Sequence, residues 1–539
     1  MSSQKKLDRR NFIEIFAKGS ISFALLPYYV SSCKDNSLID VNKLIQAKGN
    51  GKINKIEPSL LDKLILAKGL EYETLIKWED PISDKDYFGF NNDFLCFIPL
   101  KNKTDEGILW VNHEYLNDLF LHGGVVSKTL LHSKKDLYNV GGSLVHIKQI
   151  DNHWEIVFNS QYNKRISGLT TIPFNWDYKI EGANQAMGTL GNCAGGITPW
   201  GTILTCEENY SSFYGERTSA SRQITPSTYK CELNFNNPPE HYGWVVEIDP
   251  FSGHAQKQVS LGRCAHECAT VKELKDKRVV VYTGDDGNNE HLYKFISSKK
   301  KSLKHGTLYV ANLSRGEWIP VDINKHEVLK NNFKSQTEVL IYLREAAKMI
   351  GATELDRPED IEIDPITGNV LIALTNNTTK GNYFGSILKI EEEGGKHDSL
   401  KFKSQTYLSG GEENGFAAPD NMIFDRTGNL WFTSDISGSS INKYPYEKFK
   451  NNGLFIVPRN GEDAGKVIQL ASAPKDAEFT GPWFSPDGKT LFLSVQHPGE
   501  TSLSLKELSS NWPDGNGKIP RPSVIAIKGE LLNSIQGLN

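Results

Sequence analysis

Short apolar runs recur along the chain, each opened by a glycine or another turn former and closed by a polar or acidic residue. Six share the pattern: Gly107-ILWVNHEY, Gly201-TILTCEENY, Arg278-VVVYTGDD, Gly368-NVLIALTNN, Gly428-NLWFTSD and Gly488-KTLFLSVQH. Each reads as one strand after a tight turn. The last three follow a matching partner, Arg357-PEDIEIDPITG, Pro419-DNMIFDRTG and Gly481-PWFSPDG, so strand, aspartate turn and strand form a repeated hairpin. Asp364, Asp425 and Asp487 are read as the turn formers of these hairpins.

A propeller blade needs about 40 to 50 residues, and the spacing of the six runs leaves room for long excursions between strands. The pattern predicts an all-β fold, a six-bladed β-propeller with long inter-strand insertions that include short helices, as a single domain over residues 37–539. One insertion is itself legible. From Thr337 to Ile350, Val339, Leu340, Leu343, Ala346, Ala347 and Ile350 fall at helical spacing and predict one amphipathic helix before Gly351. Residues 297–304 and 451–453 read as solvated loops.

Residues 1–36 follow other rules. A basic start, the pair Arg9-Arg10 followed by Asn11-Phe12-Ile13, and a short apolar run from Ile21 to Val30 describe an export signal of twin-arginine type with a linker. Val30-Ser31-Ser32-Cys33 resembles the end of a bacterial lipoprotein signal, which predicts cleavage before Cys33 and a lipid on it. The expected location is therefore outside the cytoplasm, periplasmic or membrane-anchored, with membrane association through Cys33 alone. Folded export is commonly used where a cofactor is inserted first.

Composition narrows the partners. Lys+Arg 61 against Asp+Glu 65 gives a formal net charge of −4 over 539 residues, without the basic field that nucleic acid requires. Small molecules are the expected partners, and a monomer the expected state. Six further cysteines, Cys96, Cys193, Cys206, Cys231, Cys264 and Cys268, could make three disulfides in an oxidising compartment; no CxxC pair marks a zinc ribbon.

In a propeller the innermost strands converge on one channel, so strand ends far apart in sequence meet in space. Acids recur at such ends: Glu114, Glu207, Glu208, Glu267, Asp285, Asp286, Glu359 and Asp420. Carboxylates gathered in one channel repel and are costly to desolvate unless cations lie among them, which points to a multi-metal site. Oxygen donors suit calcium, and a thiolate extends the set towards iron or zinc. Cys193, in a glycine-rich segment, is the best thiolate; Cys206, Cys264 and Cys268 read as core. His113, His266 and His497 read as hydrogen-bonded neighbours of the site. Arg357 is open between a surface pair with Asp356 and anion binding.

The motifs FGFNNDF, LWVNHEY, GNCAGGITPWGTILTCEEN, GRCAHECATV, YTGDDGNNEHLYKF, AAKMIGATELDRPEDIEIDP, APDNMIF and TGPWFSPDGKTLFLSVQHPGE resemble those of the PhoX-type alkaline phosphatases, in the family's order and over nearly the whole mature chain. The resemblance implies a six-bladed propeller phosphatase that uses Fe3+ and Ca2+ bridged by an oxo or hydroxo group and acts on small-molecule phosphate esters. Cys193 would ligate iron, and Glu267, Asp286, Glu359 and Asp420 would complete the cluster with Glu114; Glu208 is preferred to Glu207. Arg357 would hold the substrate phosphate. Two other classes stay open: a calcium-dependent propeller lactonase or aryl esterase, and a non-catalytic binding propeller on a lipoprotein.

Overall fold

The computed structural model describes residues 52–125, 127–221 and 223–538. The expected signal over residues 1–36, with Cys33, lies outside them. Six antiparallel sheets follow one another along the chain, and their first strands contact one another in a closed ring. The fold is a six-bladed β-propeller. The innermost strands of blades 1 to 6 are Asn92–Pro99, Asn192–Ile197, Thr270–Glu273, Pro358–Ile363, Pro419–Phe424 and Glu478–Phe484. Blade 6 continues through Leu491–Gln496 and Ser523–Lys528 and is completed by Glu71–Lys77 from the other end of the chain.

The six apolar runs that the sequence displays are the second strands: Glu106–His113, Ile203–Glu207, Val279–Gly284, Val370–Leu374, Leu430–Ser434 and Leu491–Gln496. A second strand is flanked by strands on both edges and by neighbouring blades on both faces. Both sides of the pleat must then be apolar, and the strand reads as a continuous run. Val279–Gly284, Val370–Leu374, Leu430–Ser434 and Leu491–Gln496 are buried throughout. Trp110, Val280 and Ile372 pack with Ile203 and Ile361 between blades, and Trp431, Leu493 and Ile525 do the same farther round the ring.

The aspartate turns form as expected. Asp364 Oδ1 accepts the amides of Ile366 and Thr367, and Asp425 Oδ1 those of Thr427 and Asn429. Asp487 Oδ1 accepts the amide of Lys489. The single helix expected from Thr337 to Ile350 is two, Gln336–Ile341 and Leu343–Met349, because Tyr342 leaves helical geometry at φ −103° and ψ 47°. Leu340 and Leu343, one on each side of the break, both pack in the core. Residues 451–453 are not a solvated loop: Asn451 and Asn452 are buried, and Gly453 opens the strand Gly453–Val457. All six described cysteines are free. No helix among the described residues is long and apolar enough to cross a membrane.

Blades meet most closely where backbone touches backbone. A Cβ on Gly284, the last residue of its strand, would lie 2.2 Å from the carbonyl oxygen of Pro358 and 2.7 Å from that of Glu359. Neither oxygen sits on a flexible side chain, so the blades themselves would have to part. Gly284→Ala is expected to lower the unfolding free energy by about 2 to 3 kcal/mol, read by urea denaturation; a loss under about 0.5 kcal/mol would contradict this packing.

Candidate metal centre

Each blade sends one donor into the channel from at or just before the start of its innermost strand: Asp93, Cys193, Glu267, Glu359, Asp420 and Glu478. The backbone explains the recurrence. Two residues ahead of five of them stands a residue with left-handed φ: Asn91 at 45°, Gly191 at 62°, Arg357 at 52°, Ala418 at 51° and Asp476 at 64°. Asp93, Cys193, Glu359 and Asp420 then fall where the pairing with the second strand skips, at bulges between 92 and 95, 192 and 195, 358 and 361, and 419 and 422. A bulge turns a side chain out of the regular alternation, here towards the axis. Left-handed conformations at non-glycine residues cost about 1 to 3 kcal/mol each and persist where the surroundings enforce them.

Neighbouring blades hold these bent segments. The Asn112 amide donates to the carbonyls of Cys193 and Ala194, the Ser494 hydroxyl to that of Asp93 at 2.6 Å, and the Thr375 hydroxyl to that of Pro419 at 3.0 Å. Asp360 Oδ2 accepts the Met422 amide and Asn421 Oδ1 that of Gly481. The donors are therefore fixed by contacts across five blades, not by their own strands alone.

A second tier follows the ends of the second strands: Glu114, Glu208, Asp286, Asp435 and His497. Both tiers line one cavity of about 160 Å³, with Arg357 on its wall and Tyr115, Asn209, Ser437, Gly438 and Glu500 around it. Three overlapping groups bring their ligand atoms within 4.8 Å of one another: Asp93, Glu114 and Cys193; Cys193, Glu208 and Glu267; and Glu267, Glu359 and Asp420. Cys193 Sγ lies 3.3 Å from Asp93 Oδ2 and 3.2 Å from Glu267 Oε1. Asp93 Oδ1, Glu267 Oε2, Glu359 Oε1 and Glu478 Oε2 are buried with no hydrogen-bond partner. Buried carboxylate oxygens without donors are costly, and a shared cation would satisfy them. The donors fit metal ions: oxygen ligands for hard cations and one sulfur for a transition metal.

Burial raises the carboxyl pKa values of Asp93, Glu114, Glu208, Glu267, Glu359, Asp420 and Glu478, and for most of them neighbouring charges raise them further. Asp93 is lifted by burial, then by Glu114 and Asp420; Glu208 by burial, then by Asp286 and Glu114. Glu267, Glu359, Asp420 and Glu478 are lifted by burial and by one another or by Asp286 and Asp435. Burial, then Asp93 and Glu267, push the Cys193 thiol up. Without cations the folded chain retains protons that the unfolded chain releases above about pH 4, so stability falls as pH rises from there. Chelator-treated protein is expected to melt at progressively lower temperature from about pH 5 to pH 8, and a metal-loaded sample is expected to show a smaller drop. Equal slopes for the two would contradict a cation-holding cage.

The other expected residues divide cleanly. Arg357 Nε and Nη2 donate to the two oxygens of Asp286 at 2.9 and 2.8 Å. Nη2 also lies 2.7 Å from Glu359 Oε1 without hydrogen-bond alignment, and Nη1 is 3.6 Å from Asp435. Arg357 thus faces the cavity and does not pair with Asp356, which accepts from Asn377 and Asn382. Glu207 points away: it is buried against Lys257 Nζ at 2.5 Å and accepts the amides of Leu190, Gly243 and Trp244. Alternation along the strand sends only one of the two adjacent glutamates inward, and it is Glu208. Asp285 is taken by Arg344 and the Ala265 amide. His113 and His266 bond Ser143 and Thr283 away from the cavity, whereas His497 reaches it, 3.4 Å from Glu478.

The sequence pattern does not single out Asp93, Asp435 or Glu478. The recurrent dipeptides Asn92-Asp93, Asn192-Cys193, Pro358-Glu359 and Pro419-Asp420 carry a signal that finds the first. Asp435 closes one of the six runs. Glu478 has no such mark.

Fold and cavity together define a propeller enzyme whose channel is built to hold cations and, beside them, an anion. The chain matches the alkaline phosphatase PhoX family over residues 51–499. It belongs to that family and is a phosphoric monoester hydrolase. Pseudomonas fluorescens PhoX, solved in complex with vanadate, a transition state analogue, is 29% identical with a TM-score of 0.80, over 89% of this chain and 98% of that one. A Dyadobacter fermentans protein of unknown function is 12% identical, with a TM-score of 0.43, over 86% and 100%. The periplasmic gluconolactonase of Pseudomonas aeruginosa is 11% identical, with a TM-score of 0.31, over 66% and 71%. No curated protein matches the chain by sequence.

Proposed function

We propose that this protein is an exported phosphatase that frees inorganic phosphate from small phosphate monoesters with iron and calcium held in the propeller channel. The observation that carries it is the cage: one inward donor from every blade, a single sulfur among buried carboxylates, and an arginine fork on the same wall. Asp93, Glu114, Cys193, Glu208, Glu267, Asp286, Glu359, Asp420 and Glu478 would hold the ions, with iron at Cys193. The vanadate complex of the Pseudomonas fluorescens relative supports phosphoryl chemistry in this fold. Bound ions supply Lewis acidity towards the phosphate oxygens and the leaving oxygen.

The chain's own part is orientation. Asp286 grips one edge of the Arg357 guanidinium and fixes the plane in which the remaining N–H groups present themselves to phosphate. The surrounding carboxylates keep Arg357 charged, and burial keeps the Tyr115 hydroxyl protonated. The polar cavity of about 160 Å³ has room for a phosphoryl group beside Arg357.

Elemental analysis of the folded protein beside assays on p-nitrophenyl phosphate, an aryl acetate and a lactone tests the reading. Iron with calcium and phosphate release support it; calcium alone with lactone or acetate cleavage favours the esterase class, and inactivity on all three favours a binding protein. Export through the twin-arginine route and anchoring by a lipid on Cys33 belong to the same proposal, supported by the order of motifs in residues 1–36. Cys33→Ala would then release the protein from the membrane fraction.

A further inference from the structure

Around the cavity stand two groups that make no part of the donor triads. Tyr115, the residue after Glu114 in blade 1, donates its hydroxyl to Glu500 Oε1 at 3.1 Å. Glu500 belongs to the turn after His497 in blade 6, where its amide bonds the His497 carbonyl. Its other oxygen packs against blade 5: a Cβ on Gly438 would lie 2.5 Å from Oε2. The carboxylate is thus held in place from two sides. It nevertheless keeps 34% of its side chain exposed and lines the cavity together with the Tyr115 ring. His497 Nδ1 lies 3.6 Å from Oε2 but bonds the Asp476 carbonyl. No lysine or arginine pairs with Glu500 among the described residues.

The ring gives this placement a direction. Arg357 belongs to blade 4, and in a six-membered ring blade 4 faces blade 1 across the axis, with blade 6 beside blade 1. One part of the cavity wall therefore carries a guanidinium, and another carries Tyr115 with the Glu500 carboxylate. A ligand anionic at one end and cationic at the other matches both. In a cavity of about 160 Å³ the two ends must be separated by only a few bonds.

Resting on the phosphatase reading, we propose that the preferred substrates are small zwitterionic phosphomonoesters whose leaving alcohol carries an ammonium group, with Glu500 and Tyr115 as the residues that select them. Phosphate lies on the Arg357 side. The ammonium lies against the Glu500 carboxylate and the Tyr115 ring, where ion pairing and cation–π attraction each contribute modestly at a partly exposed site. Esters with uncharged polyol leaving groups gain neither contact, and polyanionic leaving groups meet repulsion.

The metal-loaded protein would be assayed on O-phosphoethanolamine, phosphocholine, glycerol 3-phosphate and p-nitrophenyl phosphate. The two ammonium esters are expected to exceed glycerol 3-phosphate in kcat/KM by about fivefold, mostly through KM. Glu500→Gln, which keeps shape and a hydrogen-bond acceptor but removes the charge, is expected to bring that ratio close to one. Tyr115→Phe, which frees the carboxylate, is expected to reduce it partway. Metal content per chain, measured on each variant, is expected to match the parent. Equal kcat/KM for all esters in the parent overturns the inference while leaving the phosphatase reading intact. So does a ratio that survives Glu500→Gln, or a variant that sheds metal and thereby places Glu500 in the cage. Failure to hydrolyse any of the four overturns the phosphatase reading and this inference with it.

Discussion

Cys193→Ala is expected to leave a folded propeller that has lost its iron and at least about a hundredfold of its phosphomonoesterase activity. Changes even one shell beyond a metal's ligands typically cost about 10- to 100-fold, and this sulfur stands in two of the three overlapping donor groups. It is also the one soft donor on the cavity wall, so its loss leaves an oxygen set that suits calcium and no longer favours a transition metal. Folding should survive, since Cys193 is partly accessible from the cavity and its bulge is held through backbone carbonyls by Asn112. Elemental analysis, circular dichroism and steady-state kinetics on one preparation decide it. Unchanged iron and activity would remove Cys193 from the centre.

Arg357→Lys is expected to lower kcat/KM by about a hundredfold, and Arg357→Ala by about a thousandfold, the range seen when a charge-stabilising donor is removed from an active site. Lysine retains the charge but cannot grip Asp286 through two parallel bonds while offering further N–H groups to phosphate. Inorganic phosphate should inhibit both variants more weakly than the parent, which separates lost phosphate binding from a general loss of fold. Activity within about threefold of the parent for the lysine variant would contradict a planar clamp.

The sequence displayed the blades through their least functional strands. Val279–Gly284 and Leu491–Gln496 are legible because both faces are buried and the apolar run is unbroken. The channel strands are less so: Asn192–Ile197 and Glu478–Phe484 mix glycine, proline and polar residues because they bulge at the axis and present ligands there. Glu208 could not be told from Glu207 without the strand's facing, and Glu478 could not be found at all. No local pattern distinguishes a glutamate whose partners come from blades 1 and 5. His497 stands beside the cavity, yet the signals that pointed to it pointed equally to His113, which lies elsewhere. The helix expected from Thr337 differs from the structure at one residue, since periodicity reports which positions are apolar and not whether the axis runs unbroken through Tyr342.

The ring is sealed by pairing Glu71–Lys77 with Ser523–Lys528, strands separated by nearly all of the described sequence. A growing chain lacks some of the six inward donors until Glu478 is made, and the blade that seats Glu478 stays open until Ser523–Lys528 follows and joins the waiting Glu71–Lys77. A complete ring of inward donors therefore requires that these two sequence-distant strands have paired.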